Sequence, residues 1–255
     1  MSDLTHPAYP RSNRYDTRWI VAHQMGPHPL WLLEWLAPAL GLDDLPPGAR
    51  VLDLGCGRAL TSVFLAREYG LQVTAADLWI RPDENARRIA EAGVADRVLP
   101  VHAEAHDLPF GEGTFDAVVS IDAYQYFGTG DLYLPTLTRL LKPGGRIGVV
   151  VPALRQEPEG VEPPEHLKAH WDPGFWAFHS PAWWRRHWTR SGVVRVEAAD
   201  WQPDGWRDWL RWSEVCAKES PSEFMAGMAR DSVELLRADE GRALGFARVV
   251  GRRTA

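Results

Sequence analysis

The sequence predicts an α/β fold: a doubly wound, mostly parallel sheet with helices on both faces. Three observations carry this expectation. Short, nearly continuous apolar runs alternate with helical stretches between residues 50 and 151, as strands buried on both faces require. The first run, Val51–Leu54, feeds a glycine-rich turn, Gly55-Cys56-Gly57-Arg58-Ala59, that opens a helix. The second run ends on an acid, Asp77.

Residues 1–13 are polar and contain proline, which predicts a loose start. Tyr15–Met25 reads as a helix stopped by Gly26-Pro27-His28-Pro29. Leu30–Leu40 is a stronger helix, with Leu32, Leu33, Leu36 and Leu40 on helical spacing. Leu45-Pro46-Pro47-Gly48 then separates an N-terminal helical cap, residues 1–47, from a main domain, residues 48–255. In that domain the expected strands are Val51–Leu54, Gln72–Ala76, Val98–Val101, Ala117–Ile121 and Ile147–Val151. Between them, helices are expected over Leu60–Glu68, Asp83–Ala92 and Leu132–Leu141. Asp83 is a plausible N-cap, with Gly93 past the helix end, and Pro135 should displace or kink the start of the third helix. After Pro152 the composition changes. Nine of the 13 tryptophans fall between residues 171 and 212. Two helical, Trp-rich insertions, about 155–191 and 201–240, are expected around strands at Val193–Ala198 and Leu244–Val250.

A length of 255 residues suits one domain with a large core. The formal charge of −6 and the lack of any Lys/Arg run argue against nucleic-acid binding. No run approaches the ~18 apolar residues of a membrane span, so no stable membrane association is expected. Two cysteines are too few for a disulfide framework and suit a reducing compartment; with no apolar signal region, a cytoplasmic location is the expectation. His102 and His106 are four apart, but on a strand end and loop and without the H-E-x-x-H order, so no metal is expected.

The glycine loop distinguishes two ligand classes. A dinucleotide fingerprint needs a small residue five positions after its first Gly, where this chain has Leu60. A small residue at the fourth position, Ala59, and an acid two residues before Gly55, Asp53, resemble the first motif of the class I S-adenosylmethionine-dependent methyltransferases. Glu104-Ala105-His106-Asp107-Leu108-Pro109-Phe110 resembles that family's D-A-x-x-L-P-F segment, and the likeness spans roughly residues 50–151. It implies a Rossmann-like, seven-stranded sheet with helical cap and lid insertions, whose last strand lies antiparallel.

It also implies S-adenosylmethionine as cofactor, held by Asp53, Gly55, Cys56, Gly57, Asp77, Leu78, Glu104, Ala105 and Ile121. Asp77 lies 24 residues after Asp53, where an acid can accept both ribose hydroxyls. Glu104, where the family usually has Asp, can accept from the adenine amino group, and the Ala105 N–H can meet a ring nitrogen. Cys56 reads as a small lining residue rather than a reactive thiol. Asp122 and Tyr124, after the fourth strand, are the candidates for orienting or deprotonating an acceptor, although the family supplies no universal catalytic residue. Trp171, Trp176, Trp183 and Trp184 are candidates for the acceptor wall. The function implied is methyl transfer to an O, N or C atom of a small molecule. A lipid-modifying, cyclopropane-synthase-like enzyme and a non-catalytic S-adenosylmethionine-binding module are the alternatives.

Overall fold

Strand β1 (Arg50–Leu54) is apolar and buried after its first residue, and it sits in the middle of a seven-stranded sheet. The computed structural model describes residues 4–254. The other strands are β2 (Gln72–Asp77), β3 (Val98–His102), β4 (Phe115–Ile121), β5 (Leu141–Leu154), β6 (Val194–Trp201) and β7 (Leu244–Arg253). Their order is β3-β2-β1-β4-β5-β7-β6. The first five pair in parallel, and β7 runs antiparallel to both β5 and β6. The strand order turns back between β1 and β4, so their carboxyl ends open a crevice.

Alternate residues along the strands feed two apolar layers, one on each face. One layer collects α2 (Pro29–Leu40), α3 (Leu60–Tyr69), α4 (Pro82–Glu91), α7 (Gly205–Glu219) and α8 (Glu223–Asp239). The other collects α5 (Tyr133–Thr138) and α6 (Pro181–Ser191). Helix α2 starts on Pro29, with His28 Nδ1 accepting from the Trp31 N–H at 3.2 Å, and ends on left-handed Gly41. Its leucines lie on β5 because Gly148 leaves room: a Cβ there would stand 2.9 Å from Leu40. Among the described residues, no helix is long and apolar enough to cross a membrane.

Several boundaries differ from expectation, each for a local reason. Helix α1 (Thr17–His23) is shorter than expected, because Asp16 caps it by accepting from the Arg18 N–H at 2.8 Å. Asp83 is not the cap of α4; Arg81 holds that position, Pro82 takes the first helical place, and Asp83 lies in the first turn near the positive end of the helix dipole. Strand β5 begins at Leu141, which pairs with Phe115, and this cuts α5 back to Thr138. Residues 1–3 lie outside the described residues, but the rest of the expected loose start is packed. Leu4 and Tyr9 are buried, His6 stacks on Tyr9 at 4.3 Å, and Tyr9 Oη accepts from Gln202 Nε2 at 2.7 Å.

The tryptophan-rich insertions divide between the layers. Trp184 and Trp188 of α6 are fully buried against one sheet face. Trp209 and Trp212 of α7 belong to the opposite layer, which the turns over residues 165–177 also join through Leu167 and Trp171. Leu36 is fully buried between α2 and the sheet. Leu36→Ala should therefore cost about 2–5 kcal/mol of folding stability, read as a lowered urea midpoint.

Candidate functional site

The loop after β1 requires three left-handed residues: Gly55 (φ 72°), Gly57 (φ 52°) and Ala59 (φ 62°). A Cβ at Gly55 would collide with the Ala123 side chain, so only glycine lets β1 and the end of β4 approach this closely. The loop is held by backbone and by one carboxylate. The N–H groups of Gly55 and Cys56 donate to the Ala76 carbonyl at 2.9 and 3.1 Å. The Gly57 N–H donates to Asp77 Oδ2 at 2.8 Å. Asp77 Oδ1 accepts from the Trp79 and Ile80 N–H groups at 2.8 and 2.9 Å. Two oxygens offer roughly four acceptor positions, so these three bonds leave capacity for a ligand hydroxyl.

A cavity of about 280 Å³ lies over this loop. Eight of the nine residues expected to hold a cofactor line it: Gly55, Cys56, Gly57, Asp77, Leu78, Glu104, Ala105 and Ile121. Asp53 does not. Its carboxyl is sealed beneath the loop, where Oδ2 accepts from Thr61 Oγ1 at 2.7 Å and Ser62 Oγ at 2.6 Å and ties β1 to α3. Burial pushes Asp53 up to about 6, the two hydroxyl bonds offset part of that rise, and Oδ1 has no partner. Glu104 stands at the rim. Its Oε1 meets His106 Nδ1 at 2.9 Å, a contact that holds its pKa below the ordinary value. Arg58 and the segment Met25-Gly26-Pro27 also line this cavity. Read only as a helix stop, Gly26-Pro27 carried no sequence signal of a wall; a Cβ at Gly57 would lie 3.0 Å from Met25 Sδ, so the segment closes directly over the loop.

A second cavity, of about 720 Å³, adjoins the first. Met25, Gly26, Pro27, Asp122 and Tyr126 line both. Trp171, Phe175, Trp209, Trp212 and the inner face of α8 form its far side. Asp122 is left-handed (φ 55°), its N–H donates to the Val150 carbonyl at 2.8 Å, and its Oδ1 accepts from Gln125 Nε2 at 3.3 Å. A Cβ at Gly26 would strike Asp122 Oδ2, so only glycine lets residue 26 lie against this carboxylate. Burial pushes its pKa up to about 7, with the Gln125 bond pulling slightly the other way.

Tyr124 cannot share the role expected of it. Its ring is fully buried on the opposite face of the sheet, 5.6 Å from Trp184 and 5.8 Å from Trp188, and it lines neither cavity. The short helical turn over Tyr124–Tyr126 sends residues 124 and 126 in different directions, so the exposed Tyr126 takes the place at the crevice. The tryptophan wall is also narrower than expected. Trp171 lines the second cavity, whereas Trp176, Trp183 and Trp184 do not. Trp183 instead stacks between His179 and His187, at 3.7 and 4.5 Å.

Residues 51–145 match the family model of the methyltransferase domain. Thirty per cent of 162 residues are identical to the glycine/sarcosine/dimethylglycine N-methyltransferase of Actinopolyspora halophila, over 63% of this chain and 28% of that protein. The sarcosine/dimethylglycine N-methyltransferase of Halorhodospira halochloris is 33% identical over 139 residues, 52% of this chain and 50% of that one. The chain thus spans half or less of the length of these two relatives. Phosphoethanolamine N-methyltransferase 2 of Haemonchus contortus, solved with S-adenosylmethionine, superposes with a TM-score of 0.70 at 19% identity, over 98% of this chain and 58% of that chain, a likeness of fold. Residues 51–145 thus match the methyltransferase domain, and the glycine-loop motif and the sheet order agree with that match.

Two outcomes follow from the geometry. The Tyr124 hydroxyl is buried without a partner, a state that costs about 1–3 kcal/mol, so Tyr124→Phe should raise stability by about 1 kcal/mol in urea unfolding and keep ligand binding. A loss of stability would mean that the hydroxyl is bonded. Asp122, with its pKa raised from 3.8 to about 7, keeps its proton in the folded chain over a range where the unfolded chain has lost it. Wild-type stability should therefore fall, relative to Asp122→Asn, as pH rises from about 4 to 7, and the gap should be level above 7. Urea midpoints of both proteins across that range, without ligand, measure it.

Proposed function

We propose that this chain binds S-adenosylmethionine in the smaller cavity and methylates a small molecule held in the larger one. The observation that carries the reading is the common wall: two cavities share Met25, Gly26, Pro27, Asp122 and Tyr126. One cavity sits on the glycine loop, and the other is large enough for a mid-sized organic ligand. The fit of the cofactor rests on the chain's own groups. Gly55 and Gly57 leave the loop backbone bare, Asp77 retains acceptor capacity for the ribose hydroxyls, and Glu104 and Ala105 stand where the adenine edge would lie. Asp53 acts one step back, holding the loop rather than touching the ligand.

When bound, S-adenosylmethionine supplies a methyl group on a positively charged sulfur. The chain's part is to align an acceptor and, where the acceptor carries a proton, to take it. Asp122, on the common wall and with its pKa near 7, is suited to both. The turns over residues 165–177 and helices α7 and α8 act as a lid that keeps water from the reacting groups. Two free, buried thiols, Cys56 and Cys216, agree with a reducing, cytoplasmic setting.

The test is calorimetry with S-adenosylmethionine, followed by an assay for S-adenosylhomocysteine release over an acceptor panel. Binding in the micromolar range, about −8 kcal/mol, is expected. Asp77→Ala should weaken it by about 1.5–3 kcal/mol, because the ribose hydroxyls would lose a charged acceptor. Binding of a nicotinamide dinucleotide instead would overturn the reading.

A further inference from the structure

The charge and lining of the larger cavity go further than the class of reaction, and the step rests on the methyltransferase reading above. Its described lining holds four carboxylates, Asp122, Asp172, Asp231 and Glu234, one imidazole, His170, and no lysine or arginine. The nearby arginines are engaged elsewhere: Arg230 pairs with Glu223, and Arg237 pairs with Glu214. Aromatic rings complete the enclosure. Trp171 meets Phe175 edge-on at 5.6 Å, Phe175 stacks on Phe178 at 4.8 Å, and Trp209 and Trp212 stand on α7. One buried polar atom of the lining tryptophans lacks a partner inside the protein: Trp171 Nε1 is enclosed and unbonded. Asp122 Oδ1 accepts from Gln125.

We infer that the acceptor is an amine with an apolar or aromatic body and no carboxylate of its own. A cavity walled by one sign of charge concentrates ligands of the other sign. Indole faces attract a cation and cover an apolar ring. The same wall disfavours an amino acid, whose carboxylate would enter among four acids and meet no lysine or arginine. The volume of about 720 Å³ has room for a ring system beyond the amine, far more than a one-carbon amine fills.

The transfer then balances as follows. The bound ammonium passes one proton to the Asp122 carboxylate. The freed nitrogen lone pair forms a bond to the methyl carbon as the carbon–sulfur bonding pair returns to sulfur. The products are a methylated ammonium and S-adenosylhomocysteine, and Asp122 releases its proton to solvent.

Matched probes test the inference: tryptamine against tryptophan and against indole-3-ethanol, and phenethylamine against phenylalanine. Binding is read by calorimetry with and without S-adenosylhomocysteine, and turnover by S-adenosylhomocysteine release. Each amine is expected to bind roughly tenfold or more tightly than its amino acid and its alcohol. Asp231→Asn with Glu234→Gln, two exposed positions on α8, should reduce that preference by about threefold while circular dichroism stays unchanged. Asp122→Asn should stop methylation of the primary amines while circular dichroism stays unchanged. Amines that bind no better than the amino acid or the alcohol would overturn the inference. Absence of S-adenosylmethionine binding would instead defeat the methyltransferase reading, a separate outcome because amine binding is measured without cofactor as well.

Discussion

One carboxylate holds the ligand end of the sheet together. Asp77 receives the Gly57 N–H from the loop after β1 and the Trp79 and Ile80 N–H groups from its own following turn. Two loops from adjacent strands are therefore locked to a single side chain, and neither can shift without unpairing the other. The constraint is matched beneath the loop, where Asp53 ties the start of α3 back to β1 through Thr61 and Ser62. Between β1 and α3 the backbone passes three times through left-handed geometry, the last time at Ala59 without the freedom of a glycine. The loop is thus a fixed shape, set before any ligand arrives.

The central sheet was legible because its signals are local. Val51–Leu54 and Ala117–Ile121 can only be buried strands, and a glycine-rich turn between a strand and a helix has few geometries. What escaped the sequence depended on partners far along the chain. Tyr9 is ordered by Gln202, and His6 by Asp208, about two hundred residues away. Leu141 reads as the end of a helix until Phe115 claims it as a strand partner. Neither pairing leaves a periodicity to follow.

The site divides in the same way. Glycines and acids at strand ends are chemically distinctive, so most of the smaller cavity could be named from the residues. The larger cavity is built mainly from side chains of ordinary core type, and a tryptophan's composition does not tell which face of the sheet it will cover. Trp171 and Trp184 come from the same enriched stretch, yet the first lines a cavity and the second fills the core. Asp122 and Tyr124 differ by only two residues, but a left-handed step at Asp122 and a turn of 3-10 helix set them on opposite sides.

The segment Met25-Gly26-Pro27 belongs to both cavities and precedes the whole sheet in the chain. Its position bears on how such a protein can diversify. A substitution in α7 or α8 reshapes one chamber and leaves the other as it was. A substitution in residues 25–27 alters both at once, so any gain in fit on one side is judged together with its effect on the other. New ligand preferences are therefore more accessible through the helices after β6 than through these three residues, which act as a shared hinge of selection rather than a free surface for variation.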